Sequence, residues 1–178
     1  MPEELRLNGK IIRLMVGFII DIKNMDGLVY YARPDLKLGS GFGTAISIQG
    51  GPKVQEELKK VGGANITDVV VTGGGNLQTR CILHAVGPHF QEEDSEEKLR
   101  KTMQNTLRKA EEHKLQKIAF PAMGAGFYGI PLDVCARVTL EAVRMFFLGE
   151  AATLQEAVFC LRDSREFKVF EDCLQKMV

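Results

Sequence analysis

Short apolar runs and longer amphipathic stretches alternate along this chain. Segments 11–16, 28–31, 69–72, 81–85, 118–120 and 157–161 have strand length, and several are apolar on both faces, the pattern of a sheet covered from each side. Helical spacing follows elsewhere. Asp94 with Glu97 three residues on reads as a capping box, ahead of Leu99, Met103, Leu107 and Ala110 on one face. Pro131 suits a first helical turn, and Leu132, Cys135, Val138, Ala142 and Phe146 carry an apolar stripe to Gly149. Asp163 and Glu166 repeat the box before Phe167, Phe170 and Leu174, and shorter helices are expected over 43–49 and 52–60.

The later half therefore alternates strand and helix, which requires parallel strands with helices on both faces. The expected fold is a three-layer α/β/α sandwich with a mixed, mostly parallel central sheet, the opening strands being the place for an antiparallel pair. No linker, repeat or low-complexity tract divides residues 1–178, so a single domain is expected. In open α/β sheets ligands bind beyond the carboxyl ends of the strands. The loops after Val16, Tyr31, Thr72 and Phe120 are the ones to inspect.

Composition narrows the class. Hydrophobic residues at 45% and charged residues at 26% exclude disorder, and 23 basic against 23 acidic residues remove any electrostatic reason to expect nucleic-acid or anionic-membrane binding. Segment 142–148, broken by Arg144, is too short to span a bilayer, and the first fifteen residues show no secretory signal. Cys81, Cys135, Cys160 and Cys173 lie far apart, as free thiols of a cytoplasmic protein do, and with three dispersed histidines no zinc site is expected. No cofactor is implied.

The 18 glycines fall in bursts. Gly50, Gly51, Gly62 and Gly63 read as turn chemistry. The segment 119–131, containing Gly124-Ala125-Gly126-Phe127-Tyr128-Gly129, runs from a strand through small residues into a helix. Consecutive backbone amides there form an anion site without a basic side chain, and no Lys-Ser/Thr pair makes it a Walker loop. The alternative is a tight turn with no ligand. Segment 36–46, containing Gly39-Ser40-Gly41-Phe42-Gly43, has the same design. Two facing cradles suit a diphosphate, with Phe42 and Tyr128 flanking it as faces for a ribose or base.

These segments, together with Val69-Val70-Val71-Thr72 leading to Asn76-Leu77 and Ile82-Leu83-His84-Ala85-Val86-Gly87-Pro88, resemble the macro domain family from about Arg13 to Asp163. The usual ligand of that family is ADP-ribose. The resemblance implies that Gly124, Ala125, Gly126, Phe127 and Tyr128 wrap the diphosphate, with Tyr128 near the distal ribose. It implies that Gly39, Ser40, Gly41 and Phe42 form the opposing loop and that Gly73 to Asn76 border the adenosine end. His84 is read as a core histidine, His89 and His113 as surface residues.

Departures from the family pattern bear on function. The family's usual adenine-binding Asp is replaced by Phe18, leaving the backbone N–H of Ile19 as a donor. Asp21 either reaches inward or caps a helix. An aromatic residue often stacks on adenine where this chain has Arg162, whose guanidinium either stacks in its place or stays solvated. The stretch Asn-Ala-Ala-Asn reads Tyr30-Tyr31-Ala32-Arg33, and Arg33 either binds a further anion or folds across the site. The acids that the hydrolytic branches use fall at Gly43 and Tyr128, so none of the family's usual general bases is present. The resemblance implies a binder of ADP-ribose or a related nucleotide diphosphate, free or linked to a protein partner. The alternatives are a substrate-assisted hydrolase of ADP-ribosyl linkages or ADP-ribose derivatives, and a scaffold whose pocket is plugged by Phe18, Tyr30, Tyr31 and Phe42.

Overall fold

The computed structural model of the protein describes residues 3–39 and 41–178. Seven strands form one sheet: β1 (Glu4–Leu7), β2 (Lys10–Val16), β3 (Gly27–Ala32), β4 (Val69–Gly73), β5 (Cys81–Val86), β6 (Lys117–Phe120) and β7 (Glu156–Leu161). Their spatial order is β1-β2-β7-β6-β3-β5-β4. The five central strands are parallel, while β1 with β2 and β4 with β5 are antiparallel. Residues 11–16 and 28–31 are therefore not partners, because β7 and β6 lie between them. The antiparallel neighbour of β2 is β1, an edge strand whose alternation of polar and apolar residues spans only four positions.

Helices α1 (Phe42–Ala45), α2 (Pro52–Val61), α3 (Ser95–Glu112), α4 (Leu132–Leu148) and α5 (Ser164–Gln175) cover both faces. Along β3, Val29 and Tyr31 enter the larger core with Leu107, Phe120, Val138 and Phe170, whereas Tyr30 and Ala32 enter the smaller one with Ile46, Val54 and Leu58. Strands β3 and β5 are buried at every residue, which accounts for their apolar runs. The helix expected over 43–49 is instead α1 followed by a wider turn over Ile46–Gly50.

Two capping patterns come out differently. Asp163 accepts a hydrogen bond from the Glu166 amide at 2.9 Å and starts α5. Asp94 precedes α3 in a left-handed conformation and makes no side-chain cap, so the box expected with Glu97 is not formed.

His84 is fully buried on β5. The Thr72 hydroxyl donates to the Gly73 carbonyl at 3.0 Å, so the 2.9 Å contact with His84 Nε2 has the imidazole N–H donating, while Nδ1 has no partner among the described residues. Burial pushes this imidazole from 6.5 down to about 3. Above pH 6.5 both folded and unfolded chains hold His84 neutral. Below it only the unfolded chain takes the proton, so folding stability falls toward pH 3 by about 1.4 kcal/mol per pH unit. Urea midpoints at pH 7.5 and 5.5 should show a loss of about 1.4 kcal/mol from this group, absent in His84→Phe.

Candidate functional site

Because β2, β3, β6 and β7 run parallel, the loops leaving their carboxyl ends meet at one edge of the sheet. They enclose a cavity of about 730 Å³, within the range of small-molecule sites.

The turn after β6 supplies one wall. Gly124 and Gly126 hold φ of 83° and 77°, which favours glycine, and the turn closes through Ile130 N–H to Gly124 O at 3.0 Å. Residues 126–128 form a single tight helical turn that continues through Gly129 toward α4. Its leading amides, those of Gly126 and Phe127, make no hydrogen bond among the described residues. Gly124, Ala125, Gly126, Phe127 and Tyr128 all line the cavity.

The segment after β3 supplies the opposite wall through Arg33, Gly39, Gly41 and Phe42. Ser40 lies outside the described residues. Thr44 donates its hydroxyl to the Gly39 carbonyl at 2.9 Å, and Gly41, with φ of 65°, precedes α1. Tyr30 pins this loop. Its hydroxyl lies 2.5 Å from where a Cβ on Gly43 would sit, and its ring packs edge-on to Phe42 at 5.4 Å. Arg33 neither fills the site nor stands free. It pairs with Asp35 at 2.7 Å and lies along Gly39.

One end of the cavity is apolar, formed by Gly17, Phe18, Ile19, Ile20 and Cys160. Phe18 is 72% exposed at the rim. Asp21 is exposed, lies outside the cavity wall and does not cap the short turn over Ile19–Asp21. Arg162 borders this end with its guanidinium held by Glu166, which is 1% exposed. Glu166 Oε2 accepts from Arg162 Nε at 3.0 Å and Nη2 at 2.8 Å, and Oε1 accepts from the Arg162 amide at 2.9 Å. Arg162 is thus held by an ion pair while its side chain stays 64% exposed. Sequence reading missed Glu166 as a site residue because its spacing from Asp163 signals only a helix start.

The other end is aromatic. Tyr31 donates to the Pro88 carbonyl at 2.5 Å and packs against Tyr128 at 4.5 Å. His89, expected at the surface, is half-buried between Phe127 and Tyr128. Tyr30 and Tyr31 are buried in opposite cores and contribute only to the wall, so the cavity is open rather than plugged.

Among the described residues no group in the wall is poised as a general base. Burial pushes Tyr128 up to about 12 and the Cys160 thiol up to about 11, and raises Tyr30 and Tyr31 as well. The Glu166 carboxylate is occupied by Arg162. Residues 73–76, expected to border the site, are elsewhere. Gly73 pairs with Cys81 at the opposite edge of the sheet, and the Asn76 amide bonds the Gly50 carbonyl at 2.9 Å.

Fold and site together define an α/β/α domain with a cavity at the carboxyl ends of its parallel strands. The chain belongs to the macro domain family, whose sequence pattern matches residues 32–139. It is 33% identical to a macro domain-containing protein of Caldanaerobacter subterraneus, across 93% of this chain and 97% of that one. A macro domain-containing protein of Chlorobaculum tepidum is 30% identical across 84% and 88%. The structure is similar to the Oceanobacillus iheyensis macrodomain with ADP, at a TM-score of 0.90, 24% identity and coverage of 98% and 95%. It is also similar to the Trypanosoma brucei macrodomain in complex with ADP-ribose, at 0.85, 29% identity and coverage of 92% and 68%. Among the described residues no helix is long and apolar enough to cross a membrane.

Proposed function

We propose that this protein binds ADP-ribose, free or attached to a protein, or a closely related nucleoside diphosphate. The observation that carries this reading is that Gly39 and Gly41 on one side, and Gly124, Ala125 and Gly126 on the other, line one cavity of about 730 Å³. The unbonded Gly126 and Phe127 amides are the donors a diphosphate requires. Gly39 and Gly41 face it from the other side, and Ala125 keeps the first turn small. Tyr128, Phe42 and Arg33 border the distal ribose, while Phe18, Ile19 and Arg162 border the base. Membership of the macro domain family, and the ADP-ribose in the related Trypanosoma brucei structure, support the same ligand class.

Hydrolysis has less support, since among the described residues the cavity wall offers no free carboxylate and no phenol or thiol that ionises near neutral pH. Calorimetric titration with ADP-ribose tests the binding reading. Saturable heat with micromolar affinity is expected, and affinity no better than about millimolar rejects it.

A further inference from the structure

The apolar end of the cavity has an unequal supply of hydrogen-bonding groups. Arg162 carries five N–H donors, of which Glu166 takes only those on Nε and one on Nη2. The remaining donors, on Nη1 and Nη2, have no partner among the described residues. The side chain is 64% exposed, and Nη2 lies 3.9 Å from the Cβ position of Gly126, so the guanidinium lies between the apolar end and the Gly126 turn, anchored by the buried Glu166. Acceptors are scarce. Glu166 is the only carboxylate in the wall among the described residues, and both of its oxygens are engaged. The Phe18 and Ile19 carbonyls already accept from the Asp21 and Ile22 amides at 2.9 and 3.2 Å, and the Leu161 carbonyl accepts from Gly17 at 2.8 Å. The exposed Asp21 carboxylate stands outside the wall.

We infer that this end of the cavity favours a base presenting a carbonyl oxygen, such as hypoxanthine, guanine or uracil, over one presenting an exocyclic amino group, such as adenine or cytosine. The inference rests on the nucleotide-binding reading above and adds which base the site ranks first. A guanidinium donates well to an oxo group and, in purines, to the adjacent ring nitrogen. An amino group packed beside Arg162 meets donors and finds no free carboxylate in the wall among the described residues. The diphosphate cradle is common to all these ligands, so adenine nucleotides still bind, with lower affinity.

Calorimetry with ADP, IDP, CDP and UDP tests this directly, because each amino/oxo pair differs at one edge of the base. IDP should bind about tenfold tighter than ADP, and UDP about tenfold tighter than CDP. The double variant Arg162→Gln/Glu166→Gln should bring each pair within about twofold. Equal affinities within each pair in the wild-type protein overturn the inference and leave the binding reading intact. Tighter ADP and CDP also overturn it, and loss of that order in Asp21→Asn would assign base recognition to Asp21. No heat from any of the four, nor from ADP-ribose, overturns the binding reading and this inference together.

Discussion

Replacing Gly126 by valine should weaken ADP-ribose binding by at least about 100-fold while the protein stays folded. Gly126 holds φ of 77°, a conformation that a β-branched residue adopts only with strain of about 1–3 kcal/mol. The only described atom within 4 Å of an added Cβ is Arg162 Nη2 at 3.9 Å, so nothing in the empty protein blocks the side chain. The consequence falls on the turn. As the backbone relaxes from the left-handed region, the Gly126 and Phe127 amides rotate away from the cavity, and the valine methyls enter its mouth. Each amide bond to a charged phosphate contributes about 1.5–3 kcal/mol, so losing both exceeds the roughly 2.7 kcal/mol that 100-fold represents. Gly62→Val is the control. Gly62 has φ of 86° with nothing within 4 Å, and it lies outside the cavity wall. It should show a similar stability loss in thermal melts and unchanged ADP-ribose affinity in calorimetry. Equal losses of affinity in the two variants would mean that backbone strain alone, not the cradle, carries the effect.

Periodicity made the covered strands and long helices of this chain legible, because burial on two faces or along one stripe leaves a direct mark on residue choice. The glycine turns were legible for a related reason, since positive φ and close approach demand glycine. Strand direction leaves no such mark. Residues 73–76 end a strand like their counterparts after β6, yet β4 runs antiparallel and carries them to the opposite edge. β1 was missed because its alternation, Glu4-Leu5-Arg6-Leu7, spans only four residues at the edge of the sheet. Side-chain coupling across the sheet was also hidden. Tyr30 and Gly43 each read as a separate departure from the family pattern, whereas the Tyr30 hydroxyl occupies the space a Gly43 side chain would need. An acid at position 43 is excluded by packing, so the missing general base and the extra tyrosine are one structural event.

A comparable interlock at Tyr31 sets the second large effect: Gly87→Ala should lower folding stability by about 3 kcal/mol and the melting temperature by about 10 °C. Gly87 follows β5 outside the left-handed region, so backbone conformation does not require glycine there. Contact does. An added Cβ would overlap the Cζ, Cε2 and hydroxyl of Tyr31. That ring has no escape, because its hydroxyl is bonded to the Pro88 carbonyl, Tyr128 packs against it at 4.5 Å, and the same hydroxyl lies 3.2 Å from the Cβ position of Gly124. Overpacking of this kind costs about 1–3 kcal/mol, and breaking the buried hydrogen bond adds about 1–3 more. Tyr31→Ala removes the clash at the cost of a void, itself worth about 3–5 kcal/mol. The two substitutions should therefore be strongly non-additive, the double variant being more stable than their sum by at least about 1 kcal/mol in urea unfolding. Additive losses would show that Tyr31 can vacate its place when Gly87 gains a methyl. ADP-ribose affinity should fall in Gly87→Ala as well, since displacing Tyr31 presses on Gly124 and Tyr128, the turn that forms one wall of the cavity.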